Sequence, residues 1–434
     1  MARCLALGEE AASGGVRHWN TPCPTRLVSA GFVHFLMRSI LRPAALLLSY
    51  AAVARSQQPI TRQQAIESAV SRGARAAVAR ADTLVGAAQL LSARQFDNPG
   101  LSATYTKSTP RYHEIVDLPF DITGARSARI QSAQASRLAS QYRFQFERAA
   151  AALDADTTYT RALAALEHVR LARRNARDAD SLRRMAIIRR DAGDASELDV
   201  LLATVNAGQA ANLAAADSLT FVVTLFDLQA VMGLDTSAIA VTPSDSLALP
   251  TETRMEGASF LTLPVAAAEQ SLTAAELGVR AQRRSIFAPF TIQAGIEHGD
   301  PSEPGILPTF GLSIPLPILN RNRGAIALAE AERERARAEL ALARFETQTT
   351  IGRALRLRTL ALEKVRRDQV LVESASRVAS MSLTAYREGA QGLPAVLEAQ
   401  RNAREILTQY IDDVAEGWIA TATLRLYDLR PVTR

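Results

Sequence analysis

The chain has 434 residues, 48% of them hydrophobic but only 5% aromatic, and a formal net charge of +6. That balance favours long, closely packed helices over a compact mixed core. Half of the charge excess lies in residues 1–54, where Arg3, Arg17, Arg26, Arg38 and Arg42 meet only Glu9 and Glu10. The rest is too small to argue for a nucleic-acid surface.

The basic segment Met37–Arg42 precedes the apolar run Pro43–Ala54, which ends in the small-x-small triplet Ala52-Val53-Ala54. This succession is that of an export signal. Met37 reads as the start, residues 1–36 as an upstream extension and 37–54 as a signal peptide. Cys4 and Cys23 are the only cysteines and both precede the signal. The mature chain is therefore expected to have no disulfide and no acylated cysteine. Beyond residue 54 the richest apolar segment, Ala210–Leu234, is interrupted by Asp217 and Asp227. No transmembrane helix is expected, so any membrane insertion falls to strands.

Thr61 with Gln64 forms a capping box, and a helical pattern follows to about Arg94, stopping at Asn98-Pro99. Pro99–Thr109 and Tyr112–Ile122 read as strands. Ala125–Arg190 contains no proline and reads as a single helix of ~65 residues, ~100 Å long, which suits a coiled-coil shaft. The segment Asp191–Ser196 breaks it, and a second helix runs to about Met232. After a linker at 233–257 the plan repeats: helix Pro264–Phe287, strands Pro289–His298 and Leu307–Leu316, long helix Asn322–Glu388, turn Gly389–Pro394, last helix to about Tyr427.

The halves match in sequence as well. Thr157–Leu163 resembles Thr349–Leu355, and Met185, Gly193, Val200, Leu201 and Ala203 resemble Met381, Gly389, Val396, Leu397 and Ala399. Several matches in one order indicate duplication. The first repeat is set at 55–232 and the second at 258–434.

Phe290, Ile292, Ala294 and Ile296 alternate with Thr291, Gln293, Gly295 and Glu297. Phe310, Leu312, Ile314 and Leu316 alternate with Thr309, Gly311, Ser313 and Pro315. A period of two over such lengths suits transmembrane strands, with Phe290, Ile292, Ile296, Phe310, Leu312 and Ile314 facing lipid. A soluble hairpin packed on helices would alternate likewise. Four strands cannot close a barrel, whereas three chains would supply twelve.

Two seams run along the last helix. Leu393, Val396, Gln400, Ala403, Leu407, Tyr410, Val414, Gly417, Thr421 and Leu424 form one; Leu397, Arg404, Ile411 and Trp418 form another. Val200, Thr204, Ala207, Ala211, Ala214, Ser218, Phe221, Leu225 and Leu228 repeat the first pattern in the helix after Ser196. Paired seams suit a cylinder wall, in which each helix has a neighbour on both sides; a bundle of two or four helices needs only one. No phosphate loop, dinucleotide fingerprint or nucleophile elbow occurs. His113-Glu114-x-x-Asp117 lacks the second histidine of a zinc box. No catalytic, cofactor or metal residue is assigned, and the chain is not expected to be an enzyme.

Ile60-Thr61, Gln64-Ala65-Ile66 and Asn98-Pro99-x-Leu101 resemble the TolC-like outer-membrane efflux family. So do Ile314-Pro315-Leu316-Pro317-Ile318-x-Asn320-x-Asn322-x-Gly324 and the two turn sequences around Gly193 and Gly389. The proline–asparagine–glycine string is closest to the heavy-metal (cobalt–zinc–cadmium type) branch. The resemblance implies a mainly α protein with a small β part. Each homotrimer would form a twelve-stranded barrel in outer-membrane lipid and a twelve-helix periplasmic tunnel, partnered by a periplasmic adaptor and an inner-membrane efflux transporter. It places Gly193, Ser196, Gly389, Gly392 and Leu393 at the adaptor-docking periplasmic tip. Asp191, Asp194 and Glu388 would form a pore constriction there, or would simply terminate helices. The other reading is a soluble periplasmic coiled-coil scaffold or adaptor.

Overall fold

The computed structural model describes residues 58–248, 262–287 and 290–429. The expected extension, signal peptide and last part of the linker lie outside the described residues, as does Pro289. The described helices are α1 (Arg62–Arg72), α2 (Ala74–Arg94), α3 (Ala125–Asp191), α4 (Glu197–Val231), α5 (Leu263–Arg284), α6 (Arg323–Arg387) and α7 (Leu393–Tyr427). The strands are β1 (Gln58–Ile60), β2 (Gly100–Tyr105), β3 (Tyr112–Phe120), β4 (Val241–Pro243), β5 (Phe290–His298) and β6 (Leu307–Ser313).

Helices α3 and α6 contain 67 and 65 residues, about 100 Å each at 1.5 Å per residue. An isolated helix gains little from propensity alone, so tertiary packing must hold these shafts. Helix α3 packs along α1, α2, α4, α5 and α7, and α6 along α5 and α7. Its buried positions are largely alanine, among them Ala128, Ala135, Ala139, Ala155, Ala162 and Ala172. Small contact residues bring helix axes close together.

The Thr61–Gln64 capping box starts α1 as expected: Gln64 N donates to Thr61 Oγ1 at 3.4 Å and Thr61 N to Gln64 Oε1 at 2.9 Å. The single helix expected up to Arg94 is instead broken at Gly73. A Cβ at Gly73 would lie 2.3 Å from Ala69 O and 3.4 Å from Val231 O. The break thus sits where a β-carbon would strike the Ala69 carbonyl of α1 itself, with the end of α4 at ordinary contact distance. Strands β2 and β6 are shorter than expected, β6 stopping before Pro315 and Pro317, which have no amide hydrogen for a ladder.

β2, β3, β5 and β6 form one antiparallel sheet in that order. β1 pairs with β4 in parallel, from Gln58↔Val241 to Ile60↔Pro243, a pairing between distant segments that no alternation foretells. Around this pair Ile60, Tyr159, Leu163, Leu225, Leu228 and Val241 form a core. Gln229 is fully buried, yet its amide donates to Asp235 O (2.8 Å) and Ala238 O (2.9 Å) and accepts from Ala240 N (2.8 Å). The buried amide is thereby satisfied and fixes the segment leaving α4.

By length and composition α4 is apolar enough to cross a membrane, which corrects the expectation that no helix would be. The expectation rested on unbroken apolar runs, whereas α4 tolerates Asp217 and Asp227 among alanine, leucine and valine. Both ends of α4 are held in apolar clusters within the helical body, through Val200 at one end and Leu225 and Leu228 at the other. Every residue of the principal α7 seam is buried or half-buried, and Leu397, Arg404, Ile411 and Trp418 are half-buried on the neighbouring face. The α4 seam is buried at Val200, Leu225 and Leu228, but Thr204 and Ala211 are exposed and Ala203 and Ala210 take the inner positions.

Candidate functional site: the sheet and the helix tips

Alternation along a strand sends neighbours to opposite faces, and directly paired residues share a face. The register therefore collects Leu101, Ala103 and Tyr105 with Tyr112, Val116, Leu118 and Phe120, and with them the single exposed carboxylate Glu114. It adds Phe290, Ile292, Ala294 and Ile296 from β5 and Phe310 and Leu312 from β6. Ile314 follows directly after β6. Phe310 is 81%, Leu312 61% and Ile292 47% exposed, so none of the described residues covers this face along β6 and the middle of β5. Phe290 and Ile296 are half-buried. An apolar surface of this extent left open marks a contact with lipid or with another protein.

The opposite face is mainly polar, with Ile115 and Leu307 among its apolar members. Gln293 Nε2 donates to Asp117 Oδ1 at 2.8 Å, and His113 Nδ1 lies 3.2 Å from Glu297 Oε1. Gly295 on this face permits close strand approach: a Cβ there would lie 2.4 Å from Glu114 O. The zinc-box fragment at His113 is thus part of β3, and its histidine pairs across the sheet with one carboxylate. Among the described residues no group of three potential ligands could hold a metal ion.

The helix tips lie at the other ends of the long helices. Gly193 (φ 84°) and Gly389 (φ 74°) are left-handed, a conformation glycine adopts without a Cβ clash. Asp194 N donates to Arg189 O (2.8 Å) and Gly193 N to Arg190 O (2.9 Å); Ala390 N donates to Ala385 O (2.8 Å) and Gly389 N to Tyr386 O (3.1 Å). Both helices therefore end in the same double-hydrogen-bonded Schellman closure. Ser196 caps α4 in a box with Asp199, whereas Gly392 caps α7 with no side chain and Pro394 occupies the first turn.

The two tips meet. Leu182, Ala186, Val200 and Ala203 of the first hairpin pack with Tyr386, Leu393 and Val396 of the second. Arg189 Nη1 donates to Tyr386 O at 2.6 Å, and its guanidinium lies 4.9 Å from the centre of the Tyr386 ring. Burial raises the Tyr386 phenol above its ordinary value, against the lowering effect of the Arg189 charge. The phenol oxygen has no hydrogen-bond partner among the described residues. Of the acidic residues, Asp191 pairs with Arg190 (2.7 Å), which also reaches Glu197 (3.1 Å). Asp194 and Glu388 are exposed and form no ion pair among the described residues. Above the tip, α3, α4 and α7 line a cavity of about 630 Å³, with Asn175, Leu202, Val205, Leu397, Arg401 and Arg404 in its wall.

Sequence reasoning did not find Arg189 or Tyr386 as partners. Their only local signal is a position just before each turn glycine. It also missed the fastening at the middle of the shaft. There Arg62 binds Asp156, donates to Thr160 Oγ1 at 2.8 Å and lies 4.2 Å from the Trp418 ring centre. Tyr159 Oη, 2.8 Å from Ile60 O and 2.9 Å from Asp245 Oδ2, completes it.

No protein-family model and no curated protein matches the chain. Solved structures do. A membrane protein from Pseudomonas aeruginosa is 20% identical with a TM-score of 0.73, over 85% of this chain and 90% of its own. The Campylobacter jejuni outer membrane channel CmeC is 15% identical with a TM-score of 0.72, over 85% of each chain. The Vibrio cholerae outer membrane protein VceC is 16% identical with a TM-score of 0.72, over 84% of this chain and 94% of its own. The chain has the fold of these membrane proteins, mainly helical with a small strand part.

Proposed function

We propose that the chain is one protomer of a passive outer-membrane duct. Three copies join their sheets into a twelve-stranded barrel and their helices into a periplasmic tunnel. Cargo enters from an inner-membrane pump by way of a periplasmic adaptor. One observation carries this reading: a four-stranded antiparallel sheet with an exposed apolar face, a polar face and two open edges, β2 and β6. Each unpaired backbone group in hydrocarbon costs several kcal/mol, so such a sheet is stable in lipid only when closed. Four strands are too few to close, and three copies suffice. The fold shared with outer-membrane channels supports the same reading.

The exposed flank of α4, with Leu198, Leu201, Val205, Leu219 and Val223, supports helix contacts from a neighbouring copy. We assign adaptor docking to the tips at Gly193, Ser196, Gly389, Gly392 and Leu393. The groove between α4 and α7 offers room for a partner helix there. Repeated by threefold symmetry, Asp194 and Glu388 would ring the entrance with negative charge, and Asp191 less so because Arg190 neutralises it. A heavy-metal cargo rests solely on the string Ile314–Gly324.

The test is electrophoresis of protein extracted from outer membranes. The expected result is a trimer-sized species without heating that collapses to monomer on boiling. Recovery of all the protein as a soluble species from the periplasmic fraction would support a coiled-coil scaffold instead.

A further inference from the structure

The sheet passes into the helical shaft through a small number of residues, and a cavity of about 420 Å³ opens there. Phe96, Asp97, Phe120, Arg126, Arg129 and Phe287 line it. Three phenyl rings are presented outward, since Phe96, Phe120 and Phe287 are all exposed. Beside them the charged groups divide into two kinds. Arg126 and Asp121 serve the local fold. Arg126 lies over the Phe96 ring, 3.8 Å from its centre, and donates to Arg94 O. Asp121 accepts from Thr123 N (2.9 Å) and Arg126 N (2.7 Å), capping α3. Arg129 and Asp97 serve nothing visible. Both are exposed, and neither makes a hydrogen bond or an ion pair among the described residues, though both line the cavity.

An unpaired cation and an unpaired anion in one cavity, fringed by phenyl rings, define a ligand with both charges and an apolar body. The geometry points to a binding site for the headgroup of a zwitterionic phospholipid at this junction. Arg129 takes the phosphate, Asp97 the ammonium, and the acyl chains run over Phe120 along the apolar sheet face. This inference rests on the membrane reading above, which puts the junction at the lipid–water boundary on the shaft side. Aromatic rings gather at that boundary because one end can be apolar and the other wet. Free phosphate would leave the rings without a partner. A purely anionic lipid would meet Asp97.

The test is native mass spectrometry of the delipidated full-length trimer, titrated with phosphatidylethanolamine, phosphatidylglycerol or inorganic phosphate. The wild type should retain phosphatidylethanolamine in preference to phosphatidylglycerol and should show no phosphate adduct. Arg129→Gln should weaken retention of both lipids about tenfold, the factor contributed by one charge-assisted hydrogen bond. Asp97→Asn should leave phosphatidylglycerol bound as well as phosphatidylethanolamine, a change of selectivity that mere loosening of the fold would not produce. Unchanged retention in Arg129→Gln, unchanged selectivity in Asp97→Asn, or competition by inorganic phosphate would overturn the assignment. Each of these outcomes requires an intact trimer, so they are distinct from a failure to insert, which would overturn the duct reading itself.

Discussion

The two helix tips share a backbone and differ in how side chains fasten it. Each closes a very long helix with a left-handed glycine and the same pair of hydrogen bonds. The first tip is then tied by polar groups of its own: the Ser196–Asp199 box and Arg190 bridging Asp191 and Glu197. The second has Gly392 as a cap without a side chain, a Glu388 that forms no ion pair among the described residues, and a proline in the next turn. Its order comes from elsewhere, through Leu393 in the shared cluster and Arg189 reaching over from the first hairpin. Similar sequences have thus produced one self-fastened tip and one that depends on its neighbour. In a duct, the dependent tip is the one a partner could release.

The largest effect that tests this difference is at Leu393, only 1% exposed. Leu393→Ala should cost about 2–5 kcal/mol through lost burial and a residual cavity. Hydrogen exchange should accelerate in peptides of the second tip and much less in those of the first. Equal acceleration in both would remove the asymmetry.

A smaller effect is expected at the glycines. A β-branched residue in the left-handed region costs about 1–2 kcal/mol, at Gly193 and Gly389 alike. At Gly389 the new Cβ would make only an ordinary van der Waals contact with Arg189 Nη2, at 3.6 Å, and at Gly193 none. Because the second tip is held by Arg189 and the first by its own polar groups, Gly389→Val is expected to give an inserted trimer that neither exports cargo nor co-purifies with its adaptor, while Gly193→Val retains part of both. Normal export by Gly389→Val would make that glycine dispensable, and failure to assemble would make it a folding residue.

The smallest pair concerns the caps. Ser196→Ala should lose about 1 kcal/mol from the first tip, whereas Gly392→Ser should add a few tenths of a kcal/mol to the second, because glycine is nearly as good a cap as serine. Local exchange rates of the two tip peptides should move in opposite directions.

Most of this architecture is legible in the sequence, for identifiable reasons. The end of α2 at Arg94, the limits of α3 and the last residue of α7 follow from proline, glycine and an unbroken helical period, which are local signals. The sheet face follows from alternation at Phe290–Ile296 and Phe310–Leu312, since strand geometry allows one assignment of faces. What escaped reading is non-local. The β1–β4 pair joins segments far apart in the sequence, and the Arg62–Asp156 and Arg189–Tyr386 contacts depend on how helices rotate against one another. The break at Gly73 escaped because a lone glycine inside a helical pattern is tolerated and gives no unambiguous stop signal.

The central claim is that the sheet is a segment of a barrel wall with lipid on one side and water on the other. Outer-membrane trimer yield for Ile292→Arg against Gln293→Arg tests it most directly, because these adjacent residues lie on opposite faces of β5. An arginine facing the middle of the bilayer costs about 2–4 kcal/mol, and one facing an aqueous lumen far less. The account predicts that the Ile292→Arg trimer is largely lost while Gln293→Arg assembles near the wild-type level. Equal yields from the two variants would contradict it.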